Sequence, residues 1–143
     1  MNQTGYSYLE LSVVIAMVTL LFLVSGPIYA IQLQKQQTQL ITRQISNDLY
    51  LAANEARTKQ IIYYFNIVQP GLYMLSSSQQ SQKKARTLPK GYSLKSNFFN
   101  NRIVFNAYGR PTSGGTLTLT DPKGSIQRFV IQIVSGRFRV ADG

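Results

Sequence analysis

The chain has 143 residues, no cysteine and no histidine, and carries 15 lysines and arginines against five aspartates and glutamates, a formal charge of +10. These counts exclude disulfide cross-links, thiol chemistry, Ser-His-Asp and Cys-His nucleophiles, and any zinc site built on His or Cys. They favour a polyanionic neighbour (nucleic acid, anionic lipid, or a wall polymer such as teichoic acid) or simply a well-solvated surface.

The first informative stretch is Gly5-Tyr6-Ser7-Tyr8-Leu9-Glu10, which runs directly into Leu11–Ile31, where only Ser12, Thr19, Ser25, Gly26 and Pro27 are not clearly apolar. As a helix this run extends roughly 32 Å, the thickness of a bilayer core, so a single membrane span is expected. Pro27 removes a helix hydrogen bond and is expected to kink or locally melt the span. Glu10 stands at its mouth, and no Lys, Arg or His occurs before Lys35. A carboxylate in such a place costs roughly 2.5 to 3.5 kcal/mol on insertion scales and calls for a partner. The one cation within reach is an α-amine freed by cleavage nearby, and Gly5 is small enough to admit a protease. The residues alone also leave open an uncut signal anchor or a secretory signal peptide, and Met1–Thr4 lack the basic residues that usually set orientation.

After a glutamine-rich stretch, apolar residues recur at Ile41, Ile45, Leu49, Ala52 and Ala56, a helical stripe. One helix from about Tyr8 to about Lys59 is therefore expected, with its outer half buried against a head. Beyond Gln60 the residues become β-branched and aromatic. Ile61–Val68 and Leu72–Leu75 read as strands around Gln69-Pro70-Gly71, and Ser76–Thr87 as a polar loop ending in Lys83, Lys84 and Arg86. Arg102–Phe105, the alternating Thr116–Thr120, Arg128–Val134 and Gly136–Val140 read as further strands, with a turn at Gly109–Gly115 and the last two either joined by a turn at Ser135-Gly136 or forming one strand bent there. Asp121-Pro122-Lys123-Gly124 reads as a type I turn. The expected fold is α+β: a long N-terminal helix on one antiparallel sheet or two small ones. The expected organisation is 1–5 leader, 6–31 membrane half of the helix, 32–60 amphipathic half, and 61–143 β-rich head. Nine basic residues and no acid lie between Arg57 and Arg110. Asp48 and Glu55 lie two helical turns apart, too far for a carboxylate dyad, so neither a catalytic role, nor a metal, nor a cofactor is expected.

The Gly5–Glu10 motif resembles the processing signal of type IV pilins and pseudopilins. The resemblance implies cleavage by a prepilin peptidase between Gly5 and Tyr6, N-methylation of Tyr6, and pairing of Glu10 with the α-amine of a neighbouring subunit. Pro27 falls where many pilins have a proline. Phe105-Asn106-Ala107-Tyr108-Gly109, Gly114–Leu119 and Gly136-Arg137-Phe138-Arg139-Val140 look like the C-terminal half of the GspH/FimT group of minor pseudopilins. Leu88-Pro89-Lys90-Gly91 and the cysteine-free head are most similar to ComGD-type competence pseudopilins of Gram-positive bacteria.

What the resemblance implies is a non-enzymatic minor pseudopilin of a competence pilus. It would be held by one span in the cell membrane with its head outside, and would assemble with other minor pseudopilins and a major pseudopilin. Arg137 and Arg139 alternate onto one strand face, with Phe138 and Val140 toward the core. Together with Gly136 and the basic Lys83, Lys84 and Arg86 they form a candidate contact for double-stranded DNA, one that reads phosphates and not bases. The alternative is a structural subunit of a secretion or adhesive filament, with no DNA role.

Overall fold

The computed structural model describes residues 7–79, 83–133 and 138–142, with the backbone alone for residues 24–31 and 142. Helix α1 runs from Tyr8 to Lys59. It ends where Gln60 turns left-handed (φ 53°) and the Ile61 amide donates to the Ala56 carbonyl at 3.1 Å, a 6→1 closure sealed by the buried Ile61 side chain. Residues up to Gln39 form one compact unit and Leu40–Gly143 another, so the helix from Leu40 to Lys59 belongs with the head.

Among the described residues the head contains eight strands in two four-stranded sheets. Strands β1 (Tyr63–Gln69), β2 (Leu72–Ser77), β3 (Lys84–Thr87) and β5 (Arg102–Phe105) form the first sheet in the order β3-β2-β1-β5. Strands β4 (Ser93–Ser96), β6 (Gly115–Thr120), β7 (Ile126–Ile131) and β8 (Phe138–Asp142) form the second in the order β4-β6-β7-β8. Every pairing is antiparallel. The Leu94 amide donates to the Pro70 carbonyl at 2.6 Å and ties the two sheets together.

The helical stripe is the spine of the core. Ile41, Ile45, Leu49, Ala52 and Ala56 are all buried against Phe65, Tyr73, Leu75, Ile103 and Phe105 of the first sheet and Leu94, Leu117, Leu119, Phe129 and Ile131 of the second. The alternation in Thr116–Thr120 turns Leu117 and Leu119 inward and leaves the threonines partly exposed.

Two expectations need correction. Residues 84–87, read as loop, form β3, with Arg86 opposite Tyr73 and Lys84 opposite Leu75. A four-residue polar edge strand has no apolar alternation to announce it and is held by its backbone ladder. Likewise, β7 ends at Ile131 and does not continue through Gln132 and Ile133, while Val134 lies outside the described residues.

Two turns share one construction. Asp121 Oδ1 accepts from the amides of Lys123 (2.9 Å) and Ser125 (2.8 Å), the Asp121 amide donates to the Ser125 carbonyl, and Gly124 sits at φ +86°. Asn106 Oδ1 accepts from the amides of Tyr108 and Arg110, both at 3.0 Å, the Asn106 amide donates to the Arg110 carbonyl, and Gly109 sits at φ +73°. Both are three-residue hairpin loops closed by a left-handed glycine. The Asn106 turn projects from the end of β5, where Phe105 bridges to Pro111.

Candidate functional site

Three groups of residues carry the functional expectations. In the first, Gly5 and Tyr6 lie outside the described residues. The helix begins immediately after them, with the amides of Glu10 and Leu11 donating to the Ser7 carbonyl at 2.9 and 3.2 Å. Glu10 is exposed in the first turn, where unpaired amides favour a carboxylate. Among the described residues no cation lies within ion-pair distance of it. The large apolar residues from Tyr8 to Leu23 are 45 to 86% exposed. The hydroxyls of this run are spent on their own helix: Ser12 Oγ donates to the Leu9 carbonyl and Thr19 Oγ1 to the Ile15 carbonyl, both at 2.8 Å. Among the described residues no helix is long and apolar enough to cross a membrane. The remainder of the apolar run, including Pro27 and its expected kink, falls in residues 24–31, whose side chains lie outside the described residues.

The second group is the basic strand. Lys83 and Lys84 are exposed, whereas Arg86 is half-buried and turned to the helix, its Nε donating to Asp48 Oδ2 at 3.3 Å. Asp48 itself is 4% exposed and accepts a 2.8 Å hydrogen bond from the Tyr73 hydroxyl, which in turn accepts from Gln44 Nε2 at 3.3 Å. A buried carboxylate needs such partners, and here the helix supplies Asp48 and Gln44, β2 supplies Tyr73 and the edge strand β3 supplies Arg86. Sequence reasoning treated Arg86 as a free cation and missed this. The available signal was the position of Asp48 on the buried stripe, between Ile45 and Leu49.

Burial, and then the hydrogen bond to Asp48, push the Tyr73 hydroxyl well above the ordinary tyrosine range. A group whose folded value is raised lends stability below its unfolded value near ~10 and withdraws it as pH climbs toward the folded one. Chemical unfolding followed by circular dichroism is therefore expected to show stability falling above about pH 10, with Tyr73→Phe removing part of that slope. An unchanged slope in the variant would place the alkaline loss on other tyrosines.

The third group is C-terminal. Gly136 and Arg137 lie outside the described residues. Arg139 is exposed on β8, opposite Val130. Phe138 turns inward, its ring 4.9 Å from Tyr50 and 6.0 Å from Phe105. Val140, expected in the core, is 40% exposed, because β8 is the edge of its sheet among the described residues. Strands β3 and β8 are edges of different sheets, so Lys84 and Arg139 do not share a sheet.

Two solved structures share this fold. The type IV minor pilin FimU of Pseudomonas aeruginosa is similar over 75% of this chain and 90% of its own, with 13% identity and a TM-score of 0.61. The minor pseudopilin EpsH of the type 2 secretion system of Vibrio cholerae is similar over 73% of this chain and 95% of its own, with 15% identity and a TM-score of 0.57. The likeness is one of fold: a long N-terminal helix packed on antiparallel sheets. No family model and no curated protein matches the chain in sequence.

Proposed function

We propose that the chain is a minor, non-enzymatic subunit of a type IV pilus-like filament, of the ComGD type, serving DNA uptake in competence. The observation that carries this is the union of two features: a minor-pilin head fold, and an N-terminal helix whose apolar section holds a single carboxylate, Glu10, directly after Gly5-Tyr6. Prepilin peptidase would cut between Gly5 and Tyr6, and Tyr6 would be methylated. Glu10 would then meet the α-amine of a neighbouring subunit in the membrane, where the pairing is worth most because lipid offers a lone carboxylate nothing. The exposed apolar residues from Tyr8 to Leu23, with their hydroxyls already satisfied, suit a single-pass anchor with the head outside the cell.

Contact with double-stranded DNA would be electrostatic and indifferent to sequence, through Lys83, Lys84, Arg137 and Arg139, with Gly136 beside them in the sequence. Arg86 would contribute only the part of its guanidinium not committed to Asp48. A second reading, a structural subunit of a secretion filament, draws support from the likeness to EpsH.

A strain lacking the chain, scored for transformation and for protein secretion, separates the two. Loss of transformation alone is the expected result; loss of secretion alone would overturn the uptake role. In the complemented strain, Glu10→Val is expected to insert into the membrane normally while its recovery in sheared filaments falls about tenfold or more. Wild-type recovery would overturn the pairing.

A further inference from the structure

The Asn106 turn does more than connect strands. It lies against the last turns of α1: a Cβ built on Gly109 would stand 2.4 Å from the Ala53 carbonyl oxygen and 3.1 Å from the Arg57 Cβ. This seat brings Tyr108 and Arg110 beside Arg57, and the three residues line an open cleft of about 450 Å³. The Tyr108 ring is 79% exposed, yet its backbone is fixed on both sides by the Asn106 side chain and the left-handed Gly109. The turn thus holds an exposed aromatic ring in one cleft with two guanidiniums, a combination able to stack a planar group and to pair an anion.

The charges at the cleft are also available. The two ion pairs among the described residues join Lys59 to Glu55 and Arg86 to Asp48, so neither Arg57 nor Arg110 is neutralised. Glu55, the acid nearest Arg57 in the chain, is already held by Lys59. The cleft therefore presents one π-face together with two cations that have no acidic partner among the described residues.

We infer that this cleft binds single-stranded nucleic acid, with an unstacked base lying on the Tyr108 ring and the adjoining phosphates gripped by Arg57 and Arg110. A single strand offers phosphates and unstacked bases together, and the cleft places two guanidiniums and one ring together. A duplex keeps its bases stacked inside and offers the ring nothing. A wall polymer or polyphosphate offers charge without a π-face. The site shares no residue with Lys83, Lys84 and Arg139, and it stands whether or not the filament serves DNA uptake.

The test uses the full chain in detergent micelles and fluorescence anisotropy with a labelled oligothymidylate about twelve nucleotides long, compared with a duplex of equal length and with inorganic polyphosphate as competitor. Tyr108→Ala is expected to weaken oligothymidylate binding about tenfold, Tyr108→Phe to stay within about twofold, and neither to change duplex affinity by more than about twofold. Arg57→Ala with Arg110→Ala is expected to flatten the salt dependence on the single strand by about 1.4, from ~0.7 per phosphate. Unaltered oligothymidylate binding by Tyr108→Ala overturns the proposal. So does a Tyr108-independent loss shared equally by polyphosphate, which would make the cleft a general polyanion groove. Because the Tyr108 side chain is exposed, its removal leaves the core untouched, and transformation scored in the deletion strain reports on the uptake role independently.

Discussion

Tyr73→Phe is expected to destabilise the head by about 2 kcal/mol, although it removes one oxygen atom and keeps the ring. The ring is fully buried and stacked on Phe65 at 4.8 Å, and Phe retains that packing. What is lost is the 2.8 Å hydrogen bond to Asp48, which leaves a nearly buried carboxylate facing only the 3.3 Å contact from Arg86. A buried acceptor stripped of its donor bears its desolvation cost in full, whereas removing both polar groups together can be nearly neutral. Asp48→Leu combined with Tyr73→Phe is therefore expected to cost less than the sum of the two single changes by about 1 kcal/mol or more. Urea unfolding of the four proteins of this cycle, with unchanged denaturant slopes, measures the coupling. Strict additivity would mean that the hydroxyl and the carboxylate do not depend on each other, and that Arg86 alone anchors Asp48.

That network also shows where sequence reading loses force. The stripe from Ile41 to Ala56 was legible because five small or aliphatic residues repeat with a helical period, and the structure buries all five. The alternation in Thr116–Thr120 was legible for the same reason at period two. Strand β3 was not, since Lys84-Ala85-Arg86-Thr87 owes its conformation to backbone pairing with β2 and to Arg86 reaching an acid 38 positions earlier. Side chains that find partners across the fold leave no local period. The two hairpin loops make the same point from the other side. Asp121-Pro122-Lys123-Gly124 is recognisable through its Asp, Pro and Gly, but Asn106-Ala107-Tyr108-Gly109 carries a similar signal, an Asx residue three positions before a glycine, while the Gly and Pro cluster draws the expected turn on to Gly109–Gly115. Read as a turn, it would have marked Tyr108 and Arg110 as residues held out on a rigid support. At the N-terminus the motif around Gly5, Tyr6 and Glu10 was legible as chemistry. Its cleavage site lies outside the described residues, so its weight rests on Glu10 alone in an apolar run.

Because the two loops are built alike, they provide a matched pair of substitutions whose difference isolates the seat of the candidate cleft. Gly109→Ala is expected to cost about 3 to 4 kcal/mol and Gly124→Ala only about 1 to 2 kcal/mol, the latter being the usual penalty for a left-handed alanine. Both glycines have positive φ, +73° and +86°, so that penalty is common to the two. The surroundings differ. Nothing lies within 4 Å of a Cβ on Gly124, whereas one on Gly109 would meet the Ala53 carbonyl oxygen at 2.4 Å, and that oxygen belongs to the helix backbone and cannot swing aside. The turn must lift from α1 or the helix must yield, and either response separates Arg57 from Tyr108 and Arg110. Gly109→Ala is therefore expected to lose stability and oligothymidylate binding together, while Gly124→Ala keeps its binding. Equal destabilisation by the two variants would show that the Asn106 turn does not rest on the helix. A destabilised Gly109→Ala that still binds the single strand at wild-type strength would show that the alignment of the cleft does not depend on that contact.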